Sequence, residues 1–280
     1  MAAFARTNNI RIHYLDYAGA DPPLVLMPGL TNNAHSFGGL VHAGLNKARR
    51  VLALDLRGRG LSDKPDTGYG MADHAADVVG MLDTLGVGQV VLGGHSFGGM
   101  LALYMAAKYP ERFSKLVIID SAISWPSGTG DLLKPSLDRL DKVFPSWDAY
   151  LNLAKGMPFL NGYWDQYIEA HYRADVEFRS DGSVKPRTPR KVIQEASAKS
   201  DEVDWCQLVA QVEHPTLLLN APGAYGTPGT PPVLPCEYAS ETARLLTDGK
   251  YVKVPGNHLT MILGENAKKV VEEITRFLEE

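Results

Sequence analysis

Cysteine is almost missing from this chain of 280 residues: only Cys206 and Cys236 occur, far apart and outside any metal-type spacing. Free thiols are therefore expected rather than a structural disulfide, and no metal or other cofactor is expected. No apolar run approaches the length of a membrane span, and the opening MAAFARTNNIRIHY lacks the apolar stretch of a signal peptide. The expectation is a cytoplasmic protein with no membrane partner. Net charge is only −4, with acids and bases interspersed, so the basic footprint of a nucleic-acid binder is absent as well. One local absence matters later: no Asp or Glu stands between Asn220 and Cys236.

What remains is an ordinary globular composition, with 45% apolar and 21% charged residues and enough length to bury a large core. Short apolar runs recur at PLVLMPG, RVLALD, QVVLGG, KLVIID, PTLLLN and KYVKVPG. Continuous runs of this kind read as parallel strands covered on both faces. Alternation over Ile10 to Tyr17 predicts an antiparallel strand near one edge, and helical patterns fall over Met71–Leu85, Phe97–Lys108, Tyr238–Leu246 and Ala267–Leu278. Strands alternating with helices imply an α/β chain with a mostly parallel sheet and helices on both faces.

The alternation stops after Asp120 and resumes near Thr216. The interval holds all four tryptophans and no core-like apolar run, and it reads as a helical cap, residues 122–208, inserted after the sixth strand. Residues 1–121 and 209–280 then form the core. APGAYGTPGTPPVLP (221–235) reads as an irregular loop.

The segment GGHSFGGM (93–100) follows a strand-like run and precedes FGGMLALYMAAKYP, which reads as a helix. Gly94-x-Ser96-x-Gly98 thus sits at a strand-to-helix turn, the setting a nucleophile elbow requires. A serine forced to positive φ brings its neighbours so close that a Cβ at 94 or 98 would clash. The same turn lifts the hydroxyl off the sheet and leaves the amide of Phe97 at a helix start, suited to an anion.

With these residues the chain resembles the α/β-hydrolase fold family. ALDLRGRGLSDKP (53–65) resembles its Asp-x-x-Gly-x-Gly-x-Ser turn, VLMPGL (25–30) its oxyanion loop, and VPGNHLTMILGENAKKV (254–270) its histidine loop. The resemblance implies a mostly parallel eight-stranded sheet with Ser96 as nucleophile and His258, of the eight histidines, as base. It also implies backbone N–H groups of Phe97 and Leu30 as oxyanion donors. In most of the family the third member follows the seventh strand, here PTLLLN, but that loop holds no acid. Some relatives carry it after the sixth strand, where Asp120 stands here; Asp120 is the expected acid and Glu237 the alternative. Asp55, Arg57 and Asp63 are expected to fix the turn around Gly58 and Gly60, His13 and His74 to be structural, and His95 to pack beneath the elbow.

Aromatic residues in the cap imply an apolar pocket between cap and sheet, with Trp125 and His35 as candidate wall residues. The expected activity is hydrolysis of a carboxylic ester or lactone of a small apolar substrate through an acyl-enzyme. Two alternatives stand beside it: hydrolysis of a carbon–carbon bond in a ring-fission product, and a non-catalytic small-molecule receptor on the same fold. Oligomeric state is not legible.

Overall fold

In the computed structural model, which describes residues 2–160 and 162–280, one eight-stranded sheet carries the chain. Its strands are β1 (Ala2–Thr7), β2 (Ile10–Tyr17), β3 (Leu24–Met27), β4 (Val51–Leu54), β5 (Val90–His95) and β6 (Phe113–Ile119). After the cap hairpin β7 (Val176–Phe178) and β8 (Val184–Pro186) come β9 (Thr216–Asn220) and β10 (Gly249–Lys253). The order is β1-β2-β4-β3-β5-β6-β9-β10. Pairs β1–β2 and β2–β4 are antiparallel, and all others in this sheet are parallel. The expected edge strand is β2; β1 adds a further antiparallel strand, joined through Asn8 and Asn9 at φ 46° and 62°. Asparagine tolerates this left-handed geometry, which a two-residue hairpin demands.

The central strands are buried throughout because their side chains alternate between two cores. Val25, Met27, Leu92, Leu116, Ile118 and Leu218 face one side; Leu24, Leu26, Val91, Val117, Ile119, Leu217 and Leu219 face the other. On the second side lie α1 (Gly38–His42), α2 (Leu45–Ala48) and the carboxyl-terminal helix. On the first lie α3 (Met71–Thr84) and α4 (Phe97–Lys108). The interval between β6 and β9, the expected cap, holds α5 (Thr129–Asp138), α6 (Trp147–Lys155), α7 (Gln166–Asp175) and α8 (Arg190–Asp201). Then follow α9 (Trp205–Val209), α10 (Cys236–Leu245) and α11 (Gly264–Glu279).

Two local details differ from the sequence reading. The cap is not wholly helical, because β7 and β8 pair antiparallel; three residues each are too few for a period to show. Trp205 and Leu208, at the end of the expected cap, belong to the first core, where α9 packs against α4. Residues 221–235 are irregular, as their proline and glycine content implies. Both cysteines are free, Cys206 exposed and Cys236 half-buried. Among the described residues no helix is long and apolar enough to cross a membrane.

Candidate active site

The carboxyl ends of the parallel strands bring the expected residues together. Ser96 follows β5 at φ 55° and ψ −119°, a conformation that non-glycine residues rarely adopt. Two close approaches make it possible. A Cβ on Gly94 would lie 2.1 Å from the Gly98 carbonyl, and one on Gly98 would lie 2.0 Å from the Met27 carbonyl. The elbow is also tied to β6, since the Ser96 amide donates to the Ile119 carbonyl at 2.9 Å. Phe97 opens α4, where the first amides have no partner within the helix.

Asp120, directly after β6, is the second strained position, at φ 46°. Its carboxylate is fully buried and shared between two tasks. Oδ1 accepts from the Ala221 amide at 2.8 Å and the Asn220 side chain at 2.9 Å; Oδ2 accepts from His258 Nδ1 at 2.7 Å. Because a carboxylate only accepts, His258 carries its proton on Nδ1, and Nε2 keeps its lone pair. Asn220 is fixed in turn by the hydroxyl of Tyr251, which donates to Oδ1 at 2.9 Å. Glu237 stands exposed at the start of α10, apart from His258.

The histidine loop is built by Asn257. Its Oδ1 accepts from the amides of Leu259 and Thr260 at 3.1 and 2.9 Å, and its Nδ2 donates to the Phe159 carbonyl of the cap at 2.8 Å. His95 secures the same loop from below: Nε2 donates to the His258 carbonyl at 2.7 Å. Burial, together with the neighbouring His258, pushes His95 down to about 3, so it stays neutral. It packs beneath the turn as expected, and its ring also reaches the cavity.

That cavity lies between cap and sheet. Together with the solvent-filled space at its mouth it has a volume of about 640 Å³. Gly29, Leu30, Asn32, His95, Ser96 and His258 line it from the core; Leu133, Leu137, Met157, Phe159 and Tyr172 supply apolar cap surface. One formally charged side chain lines it, Arg139 of the cap. The guanidinium is buried, pairs with Asp175 Oδ2 at 3.2 Å and donates to the Thr31 carbonyl at 3.3 Å. Burial opposes its charge, but Asp175 and Tyr150 more than compensate and hold its pKa above the usual arginine range.

The two expected wall residues sit elsewhere. Trp125 packs edge-on against the His258 ring, centroids 6.2 Å apart, without lining the cavity. His35 also lies outside the lining, on the short turn that follows Asn33, whose side chain accepts from its amide. The remaining polar motif forms a separate hub. Asp55 accepts from His13 Nδ1 at 2.7 Å and from the amides of Ala34 and Leu61 at 2.7 and 2.8 Å. Arg57 pairs with Asp77 and Asp63 with Arg11. Sequence reasoning missed Asn220, Asn257 and Arg139, whose roles come from contacts remote in the chain. Only the position of Asn220, at the end of PTLLLN beside an acid-free loop, offered a signal.

Comparison with known proteins agrees with this architecture. The sequence profile of the alpha/beta hydrolase fold matches residues 22–164. The 2-(acetamidomethylene)succinate hydrolase of Mesorhizobium japonicum is 40% identical over 102 residues, 36% of each chain. The 2-hydroxymuconate semialdehyde hydrolase of a Pseudomonas species is 41% identical over 186 residues, 63% of this chain and 60% of that one. The chain thus matches between about a third and three fifths of the length of these curated relatives. The crystal structure of E-2-(acetamidomethylene)succinate hydrolase superposes with a TM-score of 0.85 over 100% of this chain and 99% of that one, at 24% identity, a likeness of fold.

Proposed function

This chain is a member of the α/β-hydrolase fold family, and from that premise we propose that it hydrolyses an acyl carbon–carbon bond in a small, acid-bearing ring-fission product. The observation that carries the reading is Arg139, the single formally charged side chain in a mostly apolar cavity that also holds Ser96 and His258. The guanidinium, although paired with Asp175, is the one cationic group at the wall of this cavity among the described residues and so the place where an anionic substrate group would dock, and the apolar remainder accommodates an unsaturated carbon chain. The 2-hydroxymuconate semialdehyde hydrolase named above supports the same substrate class. The ester or lactone reading drawn from the sequence takes second place, because neither feature requires it.

In this reading His258 Nε2 takes the proton of Ser96 as its oxygen adds to the substrate carbonyl. Asp120 holds the imidazole in the required tautomer and stabilises the imidazolium. Backbone N–H groups of Leu30 and Phe97 receive the developing oxyanion. With the substrate as its 2-keto tautomer, collapse breaks the carbon–carbon bond, its electron pair passes into the acid fragment as a dienolate, and the His258 imidazolium returns its proton to that fragment. Water, activated by His258, releases the acyl group. The cap, residues 122–208, supplies the anion site, and the core supplies the reacting groups.

The test compares 2-hydroxymuconate semialdehyde with 4-nitrophenyl acetate. The diene acid should have the higher kcat/KM, Ser96→Ala should remove turnover of both, and Arg139→Met should raise KM for the acid alone. A higher kcat/KM for the ester, indifferent to Arg139, would return the ester reading to first place.

A further inference from the structure

Among the described residues Arg59 is the largest fully buried side chain, and no carboxylate lies within ion-pairing distance of it. Arg57, itself paired with Asp77, adds like charge rather than compensating it. Nε donates to the Leu30 carbonyl at 3.1 Å, Nη1 to the Arg57 carbonyl at 2.8 Å and to His74 Nε2 at 3.4 Å, and Nη2 has no partner among the described residues. The guanidinium carbon stands 5.4 Å from the centre of the Phe97 ring, and the His74 ring meets the same phenyl edge-on at 5.4 Å. One buried cation therefore grips both residues whose backbone N–H groups are assigned to the oxyanion.

We infer that Arg59 is a positioning residue for the oxyanion donors, fixing the Leu30 backbone and the Phe97 ring while placing an uncompensated positive charge behind them. The inference rests on the serine-hydrolase reading of the site. A desolvated, unpaired cation destabilises the fold, and an apolar side chain of similar length would fill the same space at less cost. The resting substrate carbonyl is neutral, whereas the tetrahedral intermediate carries a full charge on oxygen. In a low-dielectric interior the cation acts on that difference, so its effect falls on kcat rather than on substrate binding. Burial lowers the Arg59 pKa to about 9, which still leaves it charged at neutral pH. His74 is pushed well below its usual range by burial and the two arginines, so it accepts from Arg59 as a neutral ring.

The experiment measures kcat and KM for 4-nitrophenyl acetate, affinity for phenylboronic acid, which forms an anionic tetrahedral adduct with serine, and Tm. In Arg59→Met, kcat should fall about 10- to 100-fold with KM within about threefold. Boronate affinity should weaken by a similar factor, and Tm should stay level or rise. Arg59→Lys keeps the charge but loses the fork, so about tenfold of kcat should be lost at unchanged KM. Wild-type kcat in either folded variant overturns the inference. So does a fall in kcat that comes with a lower Tm and unchanged boronate affinity, which would mark Arg59 as packing. If Arg59→Met does not fold, Arg59→Lys decides on the same readouts. Turnover that survives Ser96→Ala overturns the serine reading and this inference with it. Turnover that depends on Ser96 and ignores Arg59 overturns the inference alone.

Discussion

Among the described residues two buried His–Asp pairs share the same Nδ1–Oδ2 distance. His258 Nδ1 meets Asp120 Oδ2 at 2.7 Å, and His13 Nδ1 meets Asp55 Oδ2 at 2.7 Å. Both aspartates also accept from backbone amides, Ala221 for one and Ala34 and Leu61 for the other. The pairs differ in what lies beyond the imidazole. His258 follows the last strand and lines the cavity with Ser96, whereas His13 lies within β2 and its Nε2 is enclosed without a partner. The distance within the pair does not decide its chemistry. The position of the free nitrogen does, and topology sets that position.

Substitutions should separate the two pairs by their effect on turnover. The largest effect is expected for His258→Ala, which should lower kcat by about 10⁵-fold or more and also lower Tm, because Asp120 is left buried without its partner. His13→Ala should share the stability loss, about 2–4 kcal/mol on denaturant unfolding, because Asp55 is left buried without its partner, but should change kcat of the folded fraction little. Equal kcat losses from both variants would dissolve the distinction.

A third, smaller effect concerns pH. Burial lowers His95 and His171 to about 3 and holds His74 well below its usual range, so these rings remain neutral in the folded protein. In the unfolded chain each takes up a proton below about 6.5, and the unfolded state then binds more protons than the native one. Stability should therefore be complete above pH 6.5 and fall as pH drops toward 3, by up to about 1.4 kcal/mol per unit for each ring. Urea unfolding between pH 8 and 4 measures this, and His171→Phe should flatten the slope. The smallest effect is expected from Tyr251→Phe, which removes the hydroxyl that holds Asn220 behind Asp120. We expect a loss of about threefold in kcat with little change in KM, in the range of one neutral hydrogen bond acting at a distance.

Much of the reacting assembly was legible because its signals are local. Gly94, Ser96 and Gly98 announce their turn by sterics, and the acid-free stretch from Asn220 to Cys236 turns attention to Asp120. The alternating two-sided cores are equally visible as short apolar runs. What escaped depends on where a side chain ends after folding. Arg59 occupies an unremarkable place in ALDLRGRGLSDKP, yet the fold inserts it between Leu30 and Phe97. Arg139, just beyond α5, carries no local signal, and its role comes only from Asp175 and Thr31, which surround it after folding. Trp125 and His35 lie near the site in sequence, but packing turns both away from the cavity lining. The hairpin of β7 and β8 is too short to carry a period.

Acylation tests the role of Asp120 most directly, since it requires no knowledge of the natural substrate. The burst rate of 4-nitrophenol release from 4-nitrophenyl acetate is compared between Asp120→Asn and Asp55→Asn, each assayed where circular dichroism shows it folded. The account predicts a loss of about 10³- to 10⁴-fold for Asp120→Asn and less than about threefold for Asp55→Asn. A wild-type burst in Asp120→Asn, or a larger loss in Asp55→Asn, would contradict it.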